Sequence, residues 1–244
     1  MRAIWQALVC GLLLFGADAQ ARRPRPDVLV IKAARSVKSE DYAQARRYLA
    51  MVDRNHRKFD EEHFLRVRAS LKFGQGQFDE AVNDFEAALA LAKGDPKADL
   101  SGHYLSLGLA RYALKDYAGA LEAFEGAASH GMATPQLAIV RTDCLHRLER
   151  VDEALAVIEA AAGTWPGDRH VLYHRALVSL AKSSAPELVD AYFALPDADV
   201  EQGLALVRAL DQRGATDQAK AYAQQLVTRF PDSKAARSWT PGAP

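Results

Sequence analysis

Residues 76–89 read GQFDEAVNDFEAAL, and the phrase recurs along the chain. It returns as KDYAGALEAFEGAA at residues 115–128 and as ERVDEALAVIEAAA at 149–162. Looser copies read EDYAQARRYLAMVD at 40–53 and GATDQAKAYAQQLV at 214–227. A phrase repeated at intervals of 30 to 40 residues signals a stack of similar small units rather than one globular core. Within the copy at 115–128, Tyr117, Ala120, Leu121, Phe124, Ala127 and Ala128 fall at three- and four-residue spacing, the period of one helix face. The phrase is therefore a helix with a small-and-aromatic packing face.

Upstream of the phrases lie first helices of the same kind, over 63–73, 103–114, 137–148 and 201–212. Short turns such as Gly74-Gln75-Gly76 and Leu148-Glu149-Arg150 join them to the phrase helices, and glycine with charged residues suits a tight helix end. The pairs fall into columns. A small or β-branched residue stands in the first helix at Ala69, Gly108, Thr142, Ala176 and Val207. A large residue opens the second at Tyr42, Phe78, Tyr117 and Val151. An alanine follows at Ala45, Ala81, Ala120, Ala154 and Ala219, and then a bulky residue at Leu49, Phe85, Phe124 and Ile158. Pro166 and Pro231 close units.

These columns resemble the tetratricopeptide repeat family over nearly all of the chain after its first residues. The resemblance implies an all-α, right-handed superhelical solenoid of about six helix-turn-helix repeats, spanning 27–237. The match is strong for the units from His63, Ser101 and Pro135. It is weaker for the first unit, as expected of a cap, and for the fifth, over 169–198. The fifth lacks the phrase and reads SSAPELVDAYFALPDAD, where Ser183-Ser184 would cap a short helix that Pro196 stops. Residues 195–199 then read as a possible hinge, and 238–244 as a disordered tail.

The N-terminus has the features of an export signal over residues 1–19. Arg2 precedes an apolar run from Ala7 to Phe15, and Ala17-Asp18-Ala19 fits a small-residue cleavage site. The run is shorter than the roughly 20 residues that a membrane-spanning helix needs. Residues 20–26 then form a flexible basic arm. The chain is accordingly expected to be exported, to the periplasm or cell envelope of a bacterium.

Composition excludes little but orders the rest. Hydrophobic residues make up 49% of the chain, enough for a long core, and 15 glycines with 10 prolines are too few for disorder. Formal charge is zero overall, but residues 20–72 carry 14 Lys and Arg against 7 Asp and Glu. That basic third could associate with a membrane surface or another acidic partner, although interspersed acids also fit a solvated face. With the leader removed Cys144 stands alone, so it reads as a buried small thiol.

No catalytic constellation is evident, so no enzyme activity is expected. Gly74 and Gly76 lie in a turn with no preceding strand and no Lys-Ser/Thr after them. His170 and His174 are four apart on a helix, but the segment lacks a metalloprotease glutamate, so no metal, cofactor or nucleic-acid partner is expected. Family resemblance implies instead a partner-binding concave groove lined by the first helices. Carried over residue by residue, its lining is Arg66, Ser70 and Phe73; Leu105, Leu109 and Tyr112; Ile139, Asp143, His146 and Arg147; Tyr173 and Leu177; Arg208 and Asp211. Aromatic and aliphatic anchors with a few charges suit an extended peptide or a helix. Some family members hold a C-terminal carboxylate in a clamp of Lys, Asn and Arg. This chain departs from it, with Arg66 and Ser70 in one pair of places and Leu105 and Leu109 in the next. The expected function is a non-catalytic protein–protein interaction scaffold. A membrane-tethered structural subunit and an accessory domain that recruits an enzyme are the alternatives.

Overall fold

The first residue of each phrase turns the chain. Glu40, Gly76, Lys115, Glu149 and Gly214 all have φ between 60° and 80°, the left-handed conformation that ends a helix. Around Gly76, its N–H bonds the Phe73 carbonyl at 3.0 Å and the Gln77 N–H bonds the Lys72 carbonyl at 2.9 Å. The same two bonds recur around Lys115, from its own N–H to Tyr112 O at 2.9 Å and from Asp116 N–H to Arg111 O at 3.0 Å. This reciprocal closure satisfies carbonyls that a helix end leaves open. The chain then re-enters a helix at once, with Asp41 and Asp116 side chains accepting from Gln44 and Gly119 N–H, each at 3.0 Å.

The computed structural model describes residues 24–182 and 186–242. The expected export signal, residues 20–23 of the basic arm and the Ser183-Ser184 cap lie outside the described residues. Those described are helical or in turns, with no strand among them. The helices are α1 (Pro26–Lys38), α2 (Tyr42–Ala50), α3 (Glu61–Gly74), α4 (Phe78–Ala92), α5 (Leu100–Ala113), α6 (Tyr117–Ser129) and α7 (Pro135–Arg147). They continue as α8 (Val151–Thr164), α9 (Arg169–Lys182), α10 (Pro186–Phe193), α11 (Val200–Gln212), α12 (Thr216–Arg229) and the short α13 (Lys234–Ser238). Six pairs therefore follow one another, α1/α2 through α11/α12, in the all-α repeat architecture expected. Among the described residues no helix is long and apolar enough to cross a membrane.

The chain divides into two compact units, residues 1–98 and 99–244. In the first, α1 packs on α2 and α3, and α3 on α4. Its core joins Val30, Ala33, Ala45, Leu49, Phe64 and Leu71. Asp84 on α4 is buried, and Arg68 on α3 grips it with two bonds of 2.7 Å while Lys72 approaches to 2.9 Å. Burial alone would raise the Asp84 pKa, but the two cations outweigh it and hold the carboxyl below its ordinary range.

In the second unit α7 packs on α6, α8 and α9, and α9 on α8, α10 and α11. The alanine column is buried without exception: Ala45, Ala81, Ala120, Ala154 and Ala219 are all at 0% exposure. Gly108 shows why the first-helix column stays small. A Cβ there would stand 2.5 Å from the Phe124 ring, itself fully buried. Cys144 is buried too, and burial pushes its thiol up to about 12.

The fifth pair closes differently. Arg229 of α12 donates to the carbonyls of Phe193, Leu195 and Pro196 at 3.2, 2.6 and 2.5 Å. The Tyr192 hydroxyl accepts the Asp199 N–H at 2.9 Å. Residues 195–199, offered by the sequence as a hinge, are thus tied at both ends. The segment expected to be a free tail makes contacts as well. Trp239 packs against the core of the last pairs, and the Gly242 N–H reaches Asp211 at 2.6 Å.

Candidate functional site

In the second unit the first helices α5 and α7 meet at one carboxylate. Asp143 of α7 accepts a short hydrogen bond from the Tyr112 hydroxyl of α5. It also accepts from Arg147 Nε, one turn along α7, at 2.7 Å. The Arg147 guanidinium lies over the Tyr117 ring at 5.0 Å and the Tyr112 ring at 5.9 Å, and donates to the Tyr117 hydroxyl at 3.3 Å. Tyr112 and Tyr117 meet edge to face with centroids 5.6 Å apart. Two phenols, one carboxylate and one guanidinium thus form a bonded cluster across three helices.

The charge on Asp143 is felt around it. Burial, reinforced by the bond to Asp143, pushes Tyr112 up to about 12. Burial and then Asp143 also raise Tyr173 on α9. Next to it His174 is driven down to about 4 by burial, against the opposing pull of Asp143 and with help from His170 and His146. His174 is therefore a neutral imidazole at pH 7, edge-on to Tyr173 at 4.9 Å. His170, four residues earlier, is exposed and within 3.0 Å of Gln202 Nε2. Among the described residues no group of three or more His, Cys, Asp and Glu could hold a metal ion.

The remaining predicted residues divide by what they touch. Leu109 is 39% exposed, and Arg208 is exposed on α11 with no ion pair among the described residues. Leu105, Ile139 and Leu177 are half-buried and pack against core clusters, so they support the face more than they offer area. Asp211 is taken by Thr216 at 2.9 Å and by the Gly242 N–H. His146 is half-buried at the end of α7.

In the first unit Arg66 pairs with Glu62 at 3.1 Å, and the Ser70 hydroxyl donates to the Arg66 carbonyl of its own helix at 2.9 Å. Both line a small crevice of about 200 Å³ beside Lys38 and His63, between α1 and α3. Phe73 is half-buried, edge-on to Phe78 at 5.3 Å.

Two participants escaped the reading of the groove. Tyr117 stood only in the column of large residues that open second helices, yet its ring and hydroxyl hold Arg147. His174 was paired with His170 by spacing. Its Tyr-His-Arg-Ala context, one turn from the buried Val178, was the signal that it turns inward.

Comparison with known proteins agrees with this architecture. A family model described as tetratricopeptide repeat matches residues 13–177, more than half of the chain, and a second of the same description matches 197–233. No curated protein matches the sequence. Among solved structures, MamA from Desulfovibrio magneticus RS-1 is similar at TM-score 0.58 and 18% identity, covering 72% of this chain and 99% of that one. A structure described as the functional characterisation of Pseudomonas aeruginosa pilF is similar at TM-score 0.58 and 15% identity, covering 87% and 95%. YrrB, described as a TPR protein with an unusual peptide-binding site, is similar at TM-score 0.54 and 17% identity, covering 71% and 89%. At these identities the likeness is one of fold.

Proposed function

The chain belongs to the tetratricopeptide repeat family, whose fold serves protein–protein interaction, and from that premise we propose an exported scaffold of the bacterial cell envelope that takes a peptide or helix against its first helices. The observation that carries the reading is the meeting of α5 and α7 at Asp143. It sets Tyr112 and Arg147 together, with the exposed Leu109 one turn back along α5. Apolar burial on Leu109 and the tyrosine rings would supply affinity, and the Asp143–Arg147 pair would orient the ligand. Because that pair is already internally bonded, it is pre-organised, so few side chains need ordering on binding.

Site-directed photo-crosslinking in the native envelope tests this. A crosslinker at Leu109 or Arg208 is expected to capture a partner that the same group at Glu122 does not, Glu122 being a highly exposed second-helix residue. Capture at Glu122 with none at Leu109 and Arg208 would place binding elsewhere. Envelope location is tested separately, by mass spectrometry of the exported protein. A mature start at Gln20 supports a soluble scaffold, and a retained Met1 supports the tethered alternative.

A further inference from the structure

The second unit carries a cavity of about 500 Å³ between α6, α7 and α8. That volume is in the range of about 300–1,000 Å³ typical of small-molecule sites. Its walls are small and apolar, with Ala128, Leu137, Val157, Ala160 and Trp165 among them. One charged side chain lines it, Arg141. Arg141 stands two residues before Asp143, and at about 3.6 residues per turn it points to the opposite side of α7 from the site above. Its Nε is buried without a hydrogen-bond partner, and among the described residues its guanidinium meets no carboxylate. By contrast Arg68, also half-buried, is paired with Asp84 at 2.7 Å. The Arg141 side chain is half-buried and carries a positive charge with no counter-charge beside it, and an anion entering the pocket would pair with it.

The polar inventory narrows the ligand further. Thr134 Oγ accepts the Leu137 N–H at 3.2 Å and keeps its own proton to donate, and the Thr164 hydroxyl donates to the Ala160 carbonyl at 3.0 Å. The helical walls keep their backbone groups for themselves. A peptide backbone laid here would bury amides without partners, whereas an alkyl chain has none to satisfy. We propose that this pocket binds an aliphatic monocarboxylate of medium chain length, with the carboxylate on Arg141 and the chain against the alanine wall.

Calorimetric titration of the full chain with sodium decanoate, below its micelle concentration, tests the assignment. Decanoate is expected to bind one per chain, with acetate and 1-decanol each at least tenfold weaker. Arg141→Gln should weaken decanoate at least tenfold and leave 1-decanol unchanged. Ala160→Leu, at an exposed position of α8, should block both while the far-ultraviolet spectrum stays native. Equal affinity of the wild type for decanoate and 1-decanol would overturn the role of Arg141, as would an Arg141→Gln variant that binds decanoate normally. Undiminished binding to Ala160→Leu would move the ligand out of this cavity. An acidic apolar peptide that outcompetes decanoate in an Arg141-dependent way would overturn the ligand class.

Discussion

The pair α5/α6 and the pair α9/α10 solve the same packing problem by different means. In α5/α6 the closure is one of shape. Gly108 admits the Phe124 ring, Ala120 lies flat beside it, and all three are buried. In α9/α10 the phrase is missing, and the second helix is held by polar bonds to the segment that follows it. The fully buried Tyr192 accepts the Asp199 N–H at 2.9 Å and donates to Gln202 of α11 at 3.0 Å, while on α9 Ser179 is buried and His174 half-buried. Shape closure depends on volume. Polar closure depends on hydrogen bonds and protonation. The two pairs should therefore fail under different perturbations.

Truncating either buried ring should give the largest effect. Phe124→Ala and Tyr192→Ala are each expected to lose about 3–5 kcal/mol, read by urea unfolding followed by circular dichroism. Similar losses from both would not separate the pairs, so the conservative versions matter more. Acid should separate them cleanly. Burial holds His174 near 4, below the free imidazole value of 6.5. The unfolded chain then binds the proton that the folded chain refuses. Stability from this group is complete above about 6.5 and falls as pH drops toward about 4, by at most about 3 kcal/mol. Hydrogen exchange should show α9 and α10 opening over that window while α5 and α6 stay protected. Equal loss of protection in both pairs would break the distinction, and His174→Gln should flatten the slope.

Volume and hydroxyl changes come next. Gly108→Ala gains about 1 kcal/mol of helix propensity but forces a methyl within 2.5 Å of a fully buried ring. Overpacking of this kind costs about 1–3 kcal/mol, so net destabilisation is expected. Combination with Phe124→Leu should cost less than the sum of the two. Tyr192→Phe keeps the volume and strands the Asp199 N–H, for a loss of about 1–3 kcal/mol. A neutral Tyr192→Phe would show that the irregular pair, too, closes by shape.

This contrast explains what could be read from the residues alone. The buried alanine and aromatic columns are local and periodic, so Ala120, Phe124, Ala154 and Ile158 announced both the helices and their inward faces. Helix starts were placed within three residues, because Asp60 and Asp99 cap α3 and α5 a little earlier than the apolar period begins. The polar ties are neither local nor periodic. Tyr112 and Asp143 are 31 residues apart, and Arg229 reaches Phe193 across 36. Nothing in either segment alone specifies its partner. The candidate groove was therefore legible as positions on first helices. It was not legible that the Tyr112 hydroxyl of another helix holds Asp143, nor that Asp211 is held by the Gly242 amide.

The smallest expected effect concerns the turn that phrase-bearing pairs share. Gly76 and Lys115 occupy equivalent places and make the same two backbone bonds, at φ of 75° and 64°. Glycine reaches that region without penalty, whereas a side chain there crowds the neighbouring carbonyl, at roughly 1–2 kcal/mol in a left-handed helical conformation. Part of that advantage is offset because glycine leaves the unfolded chain freer. Lys115→Gly should consequently stabilise the α5/α6 pair by about 0.5–1 kcal/mol, and Gly76→Lys should destabilise α3/α4 by a similar amount. Thermal melts of the two variants should shift in opposite directions. If both fall, the backbone strain at Lys115 is offset by contacts of its side chain, and the shared turn is not the interchangeable element its repeated geometry implies.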